Sequence, residues 1–142
     1  MARMEILHLE KMQHEATTRS HAIILDEPVD VGGDDKGMNP YEVLLAGLGG
    51  CIAMTLRLYA KHKGWPLEDV KVTLAHNKTH SKDCDDCLSD DGAGMLDVIR
   101  KKVELTGDLS DEQRARLQEI AGRCPVHRTL TGNIEILTDE SI

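Results

Sequence analysis

Apolar and polar residues alternate along MEILHLE, from Met4 to Glu10, and again along HAIILDE, from His21 to Glu27, where Pro28 ends the run. A period of two predicts half-buried strands. The pattern then changes. Leu44, Leu45, Leu48, Ile52, Met54, Leu56 and Leu58 surround most of a helix, and a helix apolar on nearly all sides is expected to be buried. Its start is marked by Asn39 as cap, Pro40 at the first helical position and Glu42 at the third, a capping-box arrangement with the favoured early proline. Its end is marked by Lys61, His62 and Lys63, which suit the negative end of the helix dipole, then by Gly64 and Pro66. About 24 residues at about 1.5 Å each span about 36 Å. That is long for a lone domain of this size and suggests that a second subunit covers part of the helix.

Two further strands are expected over VKVTLAHNKTH (Val70 to His80) and LDVIRKKVELTG (Leu96 to Gly107). A second helix starts at Ser110, with Gln113 completing a capping box. Leu117, Ile120, Ala121 and Cys124 recur at i, i+3, i+4 and i+7, so Cys124 closes the inward face, where Pro125 stops the helix. GNIEILT, Gly132 to Thr138, reads as a last strand. The order strand, strand, helix, strand, strand, helix, strand is no regular alternation and predicts an α+β fold, a single domain over residues 1–142.

Composition narrows the function classes. The chain is poor in aromatics, with no Phe, so its core is built from Leu, Ile, Val, Ala and Met and offers little for stacking on single strands. A formal charge of −8 argues against a nucleic-acid partner. The first twenty residues hold no apolar run of signal-peptide length, and no stretch reaches the apolar length of a membrane span. A cytoplasmic, reducing home follows as the expectation. Four cysteines in that setting read as reactive or metal-binding before structural.

Cys51 falls in mid-helix, in GLGGCIAMT. A buried helical cysteine is ordinarily a small hydrophobe. The surroundings weaken that reading. Gly47 lies one turn before it, where the sulfur leans, and Gly49 and Gly50 follow; each costs about 1 kcal/mol relative to Ala. Either another helix packs closely or space is kept beside the sulfur. A nucleophilic thiol must ionise, and Cys51 is too deep in the helix to use its N-terminus. Arg57 points away, which leaves Arg19 and Arg128 free to approach. Glu42 could orient such an arginine, or simply cap the helix. Cys124, in CPVH with His127 beside it, is either a core residue or a polarised thiol. His80-x3-Cys84-x2-Cys87, with His76 behind it, fits zinc ligation, redox chemistry or an unoccupied loop.

NPYEVLLAGLGGCIAMTL and RCPVHRTLTGNIEI together resemble the OsmC/Ohr family of thiol peroxidases, and DEPVDVGGDDKGMNP is similar to its OsmC-like branch. The resemblance implies an intertwined homodimer with two long helices packed centrally and wrapped by antiparallel sheets. It implies reduction of organic hydroperoxides and, as a further substrate, hydrogen peroxide. Cys51 would become a sulfenic acid, Cys124 would resolve it to a Cys51–Cys124 disulfide, and an external thiol would reduce that bond. Glu42 matches the glutamate that pairs with an activating arginine, for which Arg19 is the candidate. No cofactor is required. The His80, Cys84, Cys87 cluster is not part of the family pattern. It leaves open a zinc site, and the alternative of a metal- or thiol-binding protein without peroxidase turnover.

Overall fold

The computed structural model describes residues 2–80 and 95–138. In chain order the elements are β1 (Glu5–His8), β2 (His14–Thr18), β3 (His21–Leu25), α1 (Pro40–Lys63), β4 (Asp69–His80), β5 (Met95–Thr106), α2 (Asp111–Ala121) and α3 (Pro125–Leu130). The fold is α+β with antiparallel sheets and one long helix, as the pattern predicted. The chain divides into two compact units, Met1–Ala46 and Gly47–Ile142.

In the first unit β1, β2 and β3 form an antiparallel meander in that order. Alternation did not predict β2. HEATT carries one small apolar residue, Ala16, which is too little for a periodic signal. Yet Ala16 is buried, set between Ile6 and Ile23 on its neighbours. The two-residue turn to β3 holds Arg19 at φ 53, a left-handed conformation usually given to glycine or asparagine.

Buried Asp26 organises the loop that follows. Its carboxylate accepts the backbone N–H groups of Glu27 at 2.9 Å, Asp34 at 3.1 Å and Lys36 at 3.0 Å. Burial alone would raise its pKa, but these bonds and the Lys11 charge hold it below the usual carboxylate value. A Cβ at Gly33 would lie 1.7 Å from the Glu27 carbonyl oxygen, so only glycine fits there. The loop delivers the chain to α1. The Asn39 side chain accepts the Glu42 N–H and the Glu42 carboxylate accepts the Asn39 N–H, both at 2.9 Å. The predicted box is formed, and Gly64 takes its left-handed position at φ 65.

The second unit is built around the rest of α1. Leu48, Ile52, Leu56 and Ala60 form its buried stripe and pack with Leu109, Leu117, Ile120, Ala121 and Cys124. The long β4–β5 hairpin lays Val70, Val72, Leu74, Val103 and Leu105 against this core. Ser110 and Gln113 complete their capping box. Arg114 joins the start of α2 to the end of β5 by donating to the carbonyls of Leu105 at 2.8 Å and Gly107 at 2.7 Å.

The structure corrects four expectations. First, α1 is not buried on all sides: Met54 is 68% exposed and Leu58 57% exposed. Second, no apolar run of spanning length is expected, yet by length and a mean hydropathy of 1.7 α1 would pass for a membrane span. Its buried stripe instead packs against other elements of the same chain. Third, α2 ends at Ala121, and Cys124 is the N-cap of α3, a helix the pattern did not predict. Pro125 blocks the helix before it and also starts the next, at the position where a missing N–H costs nothing. Fourth, residues 133–138 have no regular secondary structure, and Ile134, Ile136 and Leu137 are exposed. A strand needs a bonded neighbour, and this segment has none among the described residues.

Candidate active site

Helix α1 carries Cys51 and the α2–α3 corner carries Cys124. Cys51 is half-buried at the edge of the core, whereas Cys124 is fully buried within it. Cys51 packs against the core cluster that contains Cys124, near enough for its thiol to bear on the ionisation of Cys124, and both are free. The sulfur of Cys124 also accepts the His127 backbone N–H at 3.3 Å, the cap of α3. A cysteine that caps a helix while lining a core has its sulfur fixed by that bond.

Electrostatics separates the two. Burial pushes the Cys124 thiol up, the His127 N–H opposes this, and the neighbouring Cys51 thiol raises it further. Cys124 is therefore a neutral thiol near pH 7. Burial, and then the Lys101 charge, push the His127 imidazole down, so it too is neutral near pH 7. Lys101 itself donates to the Ala121 carbonyl at 3.2 Å, at the negative end of α2. Neither this lysine nor the His127 cap was anticipated. Pro125 was the available signal, because proline at a first helical position implies a cap before it.

The glycines around Cys51 have different reasons. A Cβ on Gly49 would stand 3.1 Å from Leu74 Cδ1 of β4, so this glycine admits close helix–strand packing. A Cβ on Gly47 or Gly50 would meet nothing within 4 Å among the described residues. Open space thus flanks Cys51. Gly47, Cys51, Met54 and Leu58 follow one another at intervals of four, three and four, which places them along one face of α1.

The remaining predicted residues are not brought to the thiols within this unit. Glu42 serves in the α1 capping box. It precedes Cys51 by two and a half helical turns, so the two side chains project to opposite sides of α1. Arg19 lies in the first unit, in the exposed β2–β3 turn. Arg57 donates to the Glu68 carbonyl at 3.1 Å and, as expected, is turned away. Arg128 lies in α3, where its N–H bonds the Cys124 carbonyl at 3.0 Å. His76 meets Asp97 across the hairpin at 2.8 Å. Cys84, Cys87 and the side chain of His80 lie outside the described residues.

Residues 33–139 match the family model of OsmC-like protein. Among solved structures, an OsmC like protein from Mycoplasma pneumoniae superposes with a TM-score of 0.73 at 21% identity, covering 93% of this chain and 88% of that one. An organic hydroperoxide resistance protein OsmC from Legionella pneumophila gives 0.66 at 21% identity, covering 94% and 90%. The organic hydroperoxide resistance protein OhrB of Bacillus subtilis gives 0.63 at 17% identity, covering 94% and 92%. No curated protein sequence matches.

Proposed function

The chain belongs to the OsmC-like protein family, and from that premise we propose that it is a thiol-dependent peroxidase that reduces organic hydroperoxides, and hydrogen peroxide, through Cys51. The observation that carries this reading is the pairing of a half-buried thiol with a fully buried one in the same core cluster, near enough to bear on its ionisation. Similarity to hydroperoxide resistance proteins agrees with it.

In the first step the Cys51 thiolate attacks the terminal oxygen of the hydroperoxide. The O–O bond breaks, the alkoxide leaves and takes a proton to become the alcohol, and Cys51 becomes a sulfenic acid. In the second, the Cys124 sulfur attacks the Cys51 sulfur. Cys124 first gives its proton to solvent and attacks as the thiolate; the S–O bond breaks, the departing hydroxide takes a proton from solvent as water, and the Cys51–Cys124 disulfide forms. An external dithiol then reduces that bond by two exchanges and is itself oxidised to a disulfide. On family resemblance, Arg19 is assigned as the cation that favours the Cys51 thiolate, and Glu42 as the carboxylate that pairs with that arginine. A homodimer is part of the proposal. The exposed apolar row Met54 and Leu58, the space left at Gly47 and Gly50 by the described residues, and the exposed Ile134 and Ile136 all support a second copy as the covering surface. A cytoplasmic location agrees with two cysteines that must return to thiols in each cycle.

Mass spectrometry after one equivalent of tert-butyl hydroperoxide tests the assignment. Oxygen is expected first on Cys51, then a Cys51–Cys124 disulfide. Cys51→Ser should abolish peroxide consumption, and Cys124→Ser should permit one turnover without recycling. Full activity in Cys51→Ser would end the proposal.

A further inference from the structure

At one end of the first sheet two imidazoles lie edge-on to each other. His8 and His14 are the last opposed residues of the β1–β2 ladder. The next rung carries the hydrogen bond from Leu9 N–H to the Gln13 carbonyl, at 2.9 Å. Bonded and non-bonded rungs alternate, so His8 and His14 occupy a non-bonded one, where side chains come closest. Their ring centroids are 5.2 Å apart, with the planes at 65°.

Each ring is also held by a carbonyl of the connecting turn. His8 Nε2 lies 3.1 Å from the Lys11 carbonyl oxygen, and His14 Nδ1 lies 2.9 Å from that of Met12. A carbonyl only accepts, so these two nitrogens carry the protons in the neutral rings. His8 then has its lone pair on Nδ1, and His14 on Nε2. One nitrogen tied to a carbonyl and the other left basic is the state that prepares an imidazole for a metal. Lys11, which supplies one carbonyl from a left-handed φ of 48, is ion-paired with Asp34 at 2.7 Å, which offsets the lysine charge of this turn.

We propose that His8 and His14 form a two-imidazole site for a borderline divalent transition-metal ion such as Ni²⁺, Cu²⁺ or Zn²⁺. Such ions take imidazole readily, whereas Mg²⁺ and Ca²⁺ seek oxygen. Among the described residues no group of three or more His, Cys, Asp or Glu is placed to hold a metal, so water or a second molecule completes the coordination. The site is open and exchanges its ion. It shares no residue with the Cys51–Cys124 pair and does not depend on the peroxidase reading.

Calorimetric titration with Ni²⁺ tests this, since Cu²⁺ would oxidise the thiols. One Ni²⁺ per chain should bind, at least about tenfold more weakly after His8→Gln or His14→Gln. The affinity should be unchanged in the Cys84→Ser, Cys87→Ser double variant. Absence of binding, affinity that survives both histidine substitutions, or affinity that falls with Cys84 and Cys87 would each overturn the assignment.

Discussion

Helix α1 has two apolar faces with different fates. Leu48, Ile52, Leu56 and Ala60 meet the hairpin and α2 of the same chain and are buried. Gly47, Cys51, Met54 and Leu58 form a second row, and its large members stay exposed. Both rows are written in the same residue classes, so hydrophobicity alone does not tell them apart. The difference lies in what the chain has left to cover them with. One face is a core. The other, which carries the half-buried Cys51, is left open by the described residues of the chain.

The largest expected effect separates the faces. Leu56→Ala empties a fully buried position and should cost about 2–5 kcal/mol in urea unfolding, whatever the protein concentration. Leu58→Ala should cost little in dilute protein and show its effect only as a lower apparent stability at concentrations where chains associate. Equal, concentration-independent losses at both positions would erase the distinction.

The thiol pair repeats the contrast at smaller scale, with Cys124 on the core side and Cys51 on the open side. Burial, the leading reason that the Cys124 thiol lies above its ordinary value of 9.0, persists after Cys51 is oxidised. The thiolate is the attacking form, so its fraction grows about tenfold per pH unit below that pKa. Disulfide formation from the Cys51 sulfenic acid should therefore accelerate from pH 6 to pH 8 and level off only above pH 9. Stopped-flow loss of sulfenic acid measures this. A rate that is flat across that range would mean that Cys124 ionises freely and that its burial does not control resolution.

Much of the frame could be read from the chain. The bounds of α1, both capping boxes and the two long strands were marked by local signals: Asn39 with Glu42, Ser110 with Gln113, and the left-handed Gly64. What escaped depends on neighbours that no local pattern names. β2 is a strand because two flanking strands close over Ala16. Cys124 caps α3 because Pro125 starts a helix as well as stopping one. Residues 133–138 carry a strand's alternation but find no strand partner among the described residues. The Cys51–Cys124 pair was reached through motif resemblance. Its asymmetry, one thiol buried and one reachable, came only from the packing of α1 against the α2–α3 corner.

The smallest expected effect is the sharpest test of the open face. A mid-helix glycine costs about 1 kcal/mol relative to alanine, so Gly50→Ala should stabilise the dilute chain by up to about that amount, because its new methyl meets nothing within 4 Å among the described residues. Gly49→Ala should gain less or lose, since Leu74 Cδ1 must give way at 3.1 Å. If the space at Gly50 admits peroxide or a partner helix, the stabilised Gly50→Ala variant will turn over more slowly or associate more weakly. The two substitutions differ by one residue along the helix and point to different sides. A more stable Gly50→Ala protein with unchanged turnover and unchanged association would show that the open face beside Cys51 is unused space, and the contrast between the faces of α1 would then concern packing alone.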